Sequence, residues 1–207
     1  MSYTNEGRPA HRPKPKRRLP PEVLTNEEVL RLLAACPPTA PGLRNRALIA
    51  VLYRAGLRVA EGVALYPKDV DLQAGTIRVL HGKCDLARTV GIDPGGLAVL
   101  SEWLKARAEE GFGPAHPLFC VRGGRALSTN YVRRMLPQLA ARAGVHKRVH
   151  AHGLRHTHAA QLRAEGVDIG IISKQLGHRS ITTTATYLDH IAPLAVVRVV
   201  AARTWSN

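Results

Sequence analysis

Apolar positions along this chain follow two rhythms, and the change between them marks the elements. Thr25-Asn26-Glu27-Glu28 places a Thr and a Glu to cap each other's backbone N–H groups, and Val29, Leu30, Leu32 and Leu33 follow as an apolar helical stripe. Residues 43–55 are mostly apolar and predict a second, buried helix closed by Gly56, with a third short helix beginning near Arg58. The period then shortens. Residues 70–72, 76–80 and 87–92 are β-prone runs split by Gln73-Ala74-Gly75 and by residues 81–86, which predicts a three-stranded antiparallel meander. Beyond Pro94 the spacing is helical again, over 95–109, 129–143 (Ser128 capping, Gly144 closing), 152–165 (Gly166 closing), 169–176 (Asp168 capping), 181–188 (Ser180 capping) and a last apolar stretch, 192–203. No internal repeat is present. The expected fold is mainly α with a small three-stranded antiparallel β-sheet, an α+β arrangement.

The first twenty residues break both rhythms. Arg8, Arg12, Lys14, Lys16, Arg17 and Arg18 alternate with Pro9, Pro13, Pro15 and Pro20, so little can be buried and helix is blocked. Residues 1–20 are expected to form an extended basic arm, tracking phosphates or serving as a solvated linker. The division is then an arm over 1–20, a folded domain over 21–190 and a C-terminal helix or tail over 191–207. A content of 45% hydrophobic and 22% charged residues suits one soluble domain.

Charge sharpens the picture. Thirty Lys+Arg against fifteen Asp+Glu give a formal +15, a field that draws polyanions. Nucleic acid is the expected partner. A membrane surface is not, because no amphipathic helix sets aromatics against a lysine face. Cys36, Cys84 and Cys120 are odd in number and far apart, which points to reduced thiols and a cytoplasmic setting. Neither a secretory leader nor a membrane-length apolar run is apparent.

The chemistry-bearing segments are Gly56-Leu57-Arg58-Val59-Ala60-Glu61, His81-Gly82-Lys83, His152-Gly153-Leu154-Arg155-His156 and Leu176-Gly177-His178-Arg179-Ser180, followed by Tyr187. Breaking a phosphodiester without metal requires a nucleophile, positive charge on the non-bridging oxygens and an acid for the departing oxygen. Arg58 and Arg155 suit the second task, since a guanidinium fork binds two phosphate oxygens and keeps its proton. His152 and His178 can donate or shuttle protons near neutrality. Lys83 can reach a leaving oxygen from a hairpin, and Tyr187 can form a phosphotyrosyl ester that conserves the energy of the broken bond, without ATP.

Together these segments resemble the tyrosine recombinase (lambda-integrase-like) family, which shares its core with type IB topoisomerases. The family pattern runs Gly-Leu-Arg-x-x-Glu, hairpin Gly-Lys, His-x-Leu-Arg-His, Leu-Gly-His-x-Ser and Tyr, and every element occurs here in that order over about residues 20–190. The resemblance implies a site-specific DNA recombinase, or integrase, in which Arg58 and Arg155 bind the scissile phosphate. By the same resemblance Lys83 is the acid for the 5′-hydroxyl, His152 assists proton transfer at Tyr187, His178 hydrogen-bonds the phosphate, and Tyr187 forms a 3′-phosphotyrosyl intermediate. Glu61 and His156 match positions that support the site. The implied partners are double-stranded DNA and further copies of the chain, assembled as a tetramer on paired sites.

Departures are specific. Glu61-Gly62 replaces the usual Glu-Leu, and Cys84 and Leu86 stand where the hairpin usually has a glycine and a second lysine. Gly91 stands where it usually has proline. Most members carry a further N-terminal helical domain, whereas a basic arm of about twenty residues precedes the catalytic region here, so the chain is a minimal recombinase or a cut-down one. A DNA-binding module with little strand exchange and a topoisomerase-like relaxing enzyme stay open as alternatives. No cofactor is implied, and no metal: His152 and His156 are four apart without the Glu of a H-E-x-x-H site, and no cysteine or carboxylate cluster completes a ligand set. Asn130, Arg133 and Arg134 in the 129–143 helix, with Tyr131 beside them, either read base edges or form a solvated basic face. The last helix, with Leu194, Val196, Val197, Val199 and Val200, docks on a neighbouring protomer or on its own domain.

Overall fold

The computed structural model describes residues 22–80, 87–178, 180, 182, 184, 185 and 201. The basic arm, Lys83, Cys84, Tyr187 and nearly all of the last helix lie outside them.

Helix α1 (Asn26–Ala34) starts where the sequence places it: Thr25 Oγ1 accepts from the Glu28 N–H at 3.2 Å, and Glu28 Oε2 accepts from the Thr25 N–H at 2.7 Å. Val29 and Leu32 are buried, but Leu30 is 63% exposed, because at helical spacing 29 and 32 share the inner face and 30 turns outward. Helix α2 (Ala40–Arg54) begins before the apolar run does. Thr39 caps it and Pro41 sits in its first turn, signals outweighed in the sequence by the apolar stretch that follows. Its residues 47–53 are all buried, and it packs against both α4 (Pro94–Glu109) and α6 (Ala151–Ala164). α2 is therefore the central rod of the domain. The short helix α3 (Val59–Val63) follows it.

The meander forms as expected, with shorter strands: β1 (Val70–Asp71), β2 (Thr76–Val79) and β3 (Arg88–Gly91), paired antiparallel in that order. The register sets Ile77 opposite Val90 and Val79 opposite Arg88; Ile77, Val79 and Val90 are buried. Leu72 is 42% exposed and ends outside the sheet.

Helix α4 takes in Pro94 as its first residue, with Asp93 capping it, since proline lacks only an N–H that a first turn leaves unused. Helix α5 (Thr129–Arg142) is capped by Ser128 and continues through Pro137. α6 begins at Ala151 with His150 as its cap: Nδ1 accepts the Gly153 N–H at 2.6 Å. α7 (Ile169–Leu176) is capped by Asp168. Of the expected 181–188 helix, Thr182, Thr184 and Ala185 are described and helical.

The first described residues are fastened to a distant part of the chain. Glu22 accepts from the Arg148 N–H at 2.8 Å, the Val23 carbonyl accepts from Lys147 Nζ at 2.9 Å, and the Leu24 N–H donates to Thr157 Oγ1 at 3.1 Å. Among the described residues no helix is long and apolar enough to cross a membrane, and Cys36 and Cys120 are buried free thiols.

Candidate active site

Two tight turns bring Arg58 and Arg155 together. Gly56, at φ 65°, ends α2 in the left-handed region that glycine enters without a steric penalty, and Gly177, at φ 66°, ends α7 in the same way. Carbonyls freed by these turns face inward. Arg155, 1% exposed in the middle of α6, donates from Nη1 to the Gly56 carbonyl at 2.6 Å and from Nη2 to the Leu176 carbonyl at 2.5 Å. Arg58, just past the first turn, donates from Nη2 to the Gly177 carbonyl at 3.2 Å. Each guanidinium thus fastens its own segment to the 176–177 turn, from which His178 follows directly. The planar fork sets the two donors on separate nitrogens, each aimed at its own carbonyl, an arrangement that a single ammonium nitrogen does not reproduce.

Glu61 organises the cationic side of the cluster. It is 5% exposed, accepts from the Arg58 N–H at 2.8 Å and from Arg58 Nη1 at 2.8 Å, and receives both terminal nitrogens of Arg88. Burial pushes its carboxyl up, but the hydrogen bonds and charges of Arg88 and Arg58 overcome that and hold it below the usual carboxylate range. The sequence reading singled out neither Arg88 nor Gln175. Arg88 was available as the arginine of the hairpin pattern. Gln175 carries no such signal, and its role is visible only from the fold.

The histidines gather beside the arginines. His152 and His156, a turn apart on α6, meet edge to face with ring centroids 4.3 Å apart. His152 keeps an exposed flank; the burial of the rest of its ring, then the charges of Arg155, His150 and Arg58, hold it below the ordinary imidazole value. His156 is pushed down to about 3, first by burial and then by His152, His150, Arg155 and His178. His178 is pushed down to about 4 by burial, then by Arg155, Arg58, His152 and Arg88. Its Nδ1 lies 2.8 Å from the hydroxyl of Thr184, itself fully buried, which fixes the ring plane. When that hydroxyl donates to Nδ1, the ring proton sits on Nε2 and serves an anion as a neutral donor.

Of the sequence-predicted residues, Arg58, Glu61, His152, Arg155, His156 and His178 therefore converge. Lys83 and Tyr187 lie outside the described residues. Asn130, Arg133 and Arg134 are exposed on α5, apart from this cluster, and Asn130 Oδ1 accepts from Arg133 Nη1 at 3.0 Å. Tyr131 does not join them: its hydroxyl turns inward to Arg44 Nη2 at 3.1 Å and Asn45 Nδ2 at 3.0 Å. The described residues contain no group of three or more His, Cys, Asp and Glu arranged to hold a metal ion.

Residues 22–192 match the model of the phage integrase family. The tyrosine recombinase XerC of Xanthomonas axonopodis pv. citri (strain 306) is 40% identical over 176 residues, covering 84% of this chain and 56% of the relative. XerC of Xylella fastidiosa (strain 9a5c) is 38% identical over 175 residues, 84% of this chain and 58% of the relative. The chain thus spans little more than half the length of these relatives. Among solved structures, XerA recombinase aligns with a TM-score of 0.78 at 31% identity, covering 91% of this chain and 68% of that one. XerH site-specific recombinase bound to palindromic difH substrate, in a post-cleavage complex, aligns with a TM-score of 0.72 at 28% identity, covering 89% and 54%.

Proposed function

This chain belongs to the phage integrase family, and from that premise we propose that it is the catalytic part of a site-specific DNA recombinase. It acts on double-stranded DNA in the cytoplasm, without metal or ATP. Residues 1–20 track the DNA backbone, residues 21–190 carry the chemistry, and residues 191–207 link protomers in a tetramer on paired sites or dock on their own domain.

The observation that carries the reading is the meeting of Arg58 and Arg155 on one turn, through the carbonyls of Leu176 and Gly177, with His178 next in the chain. Three positively charged or hydrogen-donating groups around one turn suit a phosphate whose charge rises as it becomes pentavalent. The Tyr187 oxygen attacks phosphorus while His152 takes its proton. The bond to the 5′-oxygen breaks, and Lys83 gives that oxygen a proton. Rejoining reverses these steps with a different 5′-hydroxyl.

DNA nicked beside the cleavage point tests this, since loss of the short fragment traps the adduct. In EDTA the wild-type chain is expected to give a detergent-resistant protein–DNA band that Tyr187→Phe does not. An adduct that survives in the Phe variant would refute the nucleophile. With supercoiled plasmid, recombinant products support exchange, relaxation alone points to topoisomerase behaviour, and neither leaves a DNA-binding module.

A further inference from the structure

We propose that Gln175 is a positioning residue for the leaving-group step, holding β3, and so the hairpin whose sequence bears Lys83, in register with the arginine clamp. The inference rests on the reading above, in which Lys83 protonates the 5′-oxygen. Gln175 makes both possible hydrogen bonds to one backbone residue: Oε1 accepts from the Gly91 N–H at 3.0 Å and Nε2 donates to the Gly91 carbonyl at 2.8 Å. Its Nε2 also donates to the Ala55 carbonyl, at 3.2 Å, three residues before Arg58.

In the three-stranded sheet β3 has β2 on one side only, and the Gln175 amide supplies on the other side what a further strand's backbone would. Only a side-chain amide offers an acceptor and a donor in that arrangement; Glu lacks the donor and Lys the acceptor. The next two residues after Gln175 are Leu176 and Gly177, whose carbonyls hold Arg155 and Arg58. At the other end of β3, Arg88 is fastened to Glu61. The strand is therefore held at both ends against the clamp. Gly91 supplies an N–H that the proline usual at this hairpin position could not give, so the contact depends on that departure from the pattern.

The test compares two nicked substrates, one with the ordinary 5′-oxygen and one with sulfur at that bridging position. In both, the Tyr187 oxygen bonds to phosphorus and the 5′ bond breaks. The oxygen must leave with a proton, whereas sulfur leaves as a thiolate, its conjugate acid being near a pKa of about 8.5. Gln175→Ala is expected to slow adduct formation on the order of 100-fold with oxygen and by less than about threefold with sulfur, at unchanged DNA affinity. Gln175→Glu, which keeps the acceptor for the Gly91 N–H but loses the donor to the Gly91 and Ala55 carbonyls, is expected to show the same oxygen-specific loss and decides the matter should Gln175→Ala fail to fold. Equal slowing on both substrates, or none, overturns the inference while leaving the proposed function standing. A wild-type chain that forms no adduct on either substrate overturns both.

Discussion

Glu61 and Arg88 meet as a two-pronged pair across 27 positions of sequence, with Arg88 Nη1 3.0 Å from Oε1 and Nη2 2.9 Å from Oε2. The same carboxylate holds the backbone and side chain of Arg58. One buried anion therefore orients Arg58 and anchors β3.

Removing that anion should be costly. Glu61→Ala leaves Arg88, whose side chain is only 14% exposed, without its counter-charge, and breaking such a pair costs about 3–5 kcal/mol. An unfolding free energy from urea titration lowered by that amount, together with loss of adduct formation, is expected. A value within about 1 kcal/mol of wild type, the worth of an exposed pair, would show that the pair contributes no more than a surface salt bridge.

Arg155→Lys keeps the charge and loses the fork. A lysine gathers its donors on one nitrogen and loses the two separate prongs that reach the Gly56 and Leu176 carbonyls. Cleavage of the nicked substrate should fall by about 100- to 1000-fold, the usual effect of one lost transition-state donor, with a smaller effect on DNA binding. Wild-type cleavage by the Lys variant would place Arg155 outside the chemistry.

Gly177→Ala strains the turn that both arginines use. At φ 66° an L-residue costs about 1–2 kcal/mol. The new Cβ would also lie 2.6 Å from Arg88 Nε, so the guanidinium must move. Lower thermal stability and slower cleavage are expected together, read by melting and by the adduct assay; unchanged cleavage would show that Arg88 can shift without consequence.

Acid should unfold the domain through its histidines. His156 sits at about 3 and His158 at about 4, both 7% exposed, against an ordinary 6.5. Burial leads in both cases, so the unfolded chain takes up these protons first. Stability is full above pH 6.5 and falls as pH drops toward 4, by up to about 1.4 kcal/mol per pH unit for each residue. Urea midpoints at pH 8, 6 and 5 check this. His158→Phe should flatten the slope, and a slope as steep as wild type would assign the effect elsewhere.

The sequence was most informative where local chemistry decides structure. Capping at Thr25, Ser128 and Asp168, and the three strands, were readable because each signal spans a few residues. Helix α2 was read too short because its start rests on Thr39 and Pro41, not on the apolar run. The residues that converge, from Arg58 to His178, were readable as an ordered set of motifs, since spacing and residue type both carry the signal. What joins them was not. Gln175 looks like any solvated helical glutamine until β3 is brought beside it, and Tyr131 looked exposed because Arg44 and Asn45, its partners, lie more than eighty positions upstream.

The fastening of residues 22–24 to Lys147, Arg148 and Thr157 has a mechanical consequence. Thr157 lies two residues beyond Arg155 in the same helix, so a displacement of Leu24 is carried into α6 within one turn of Arg155.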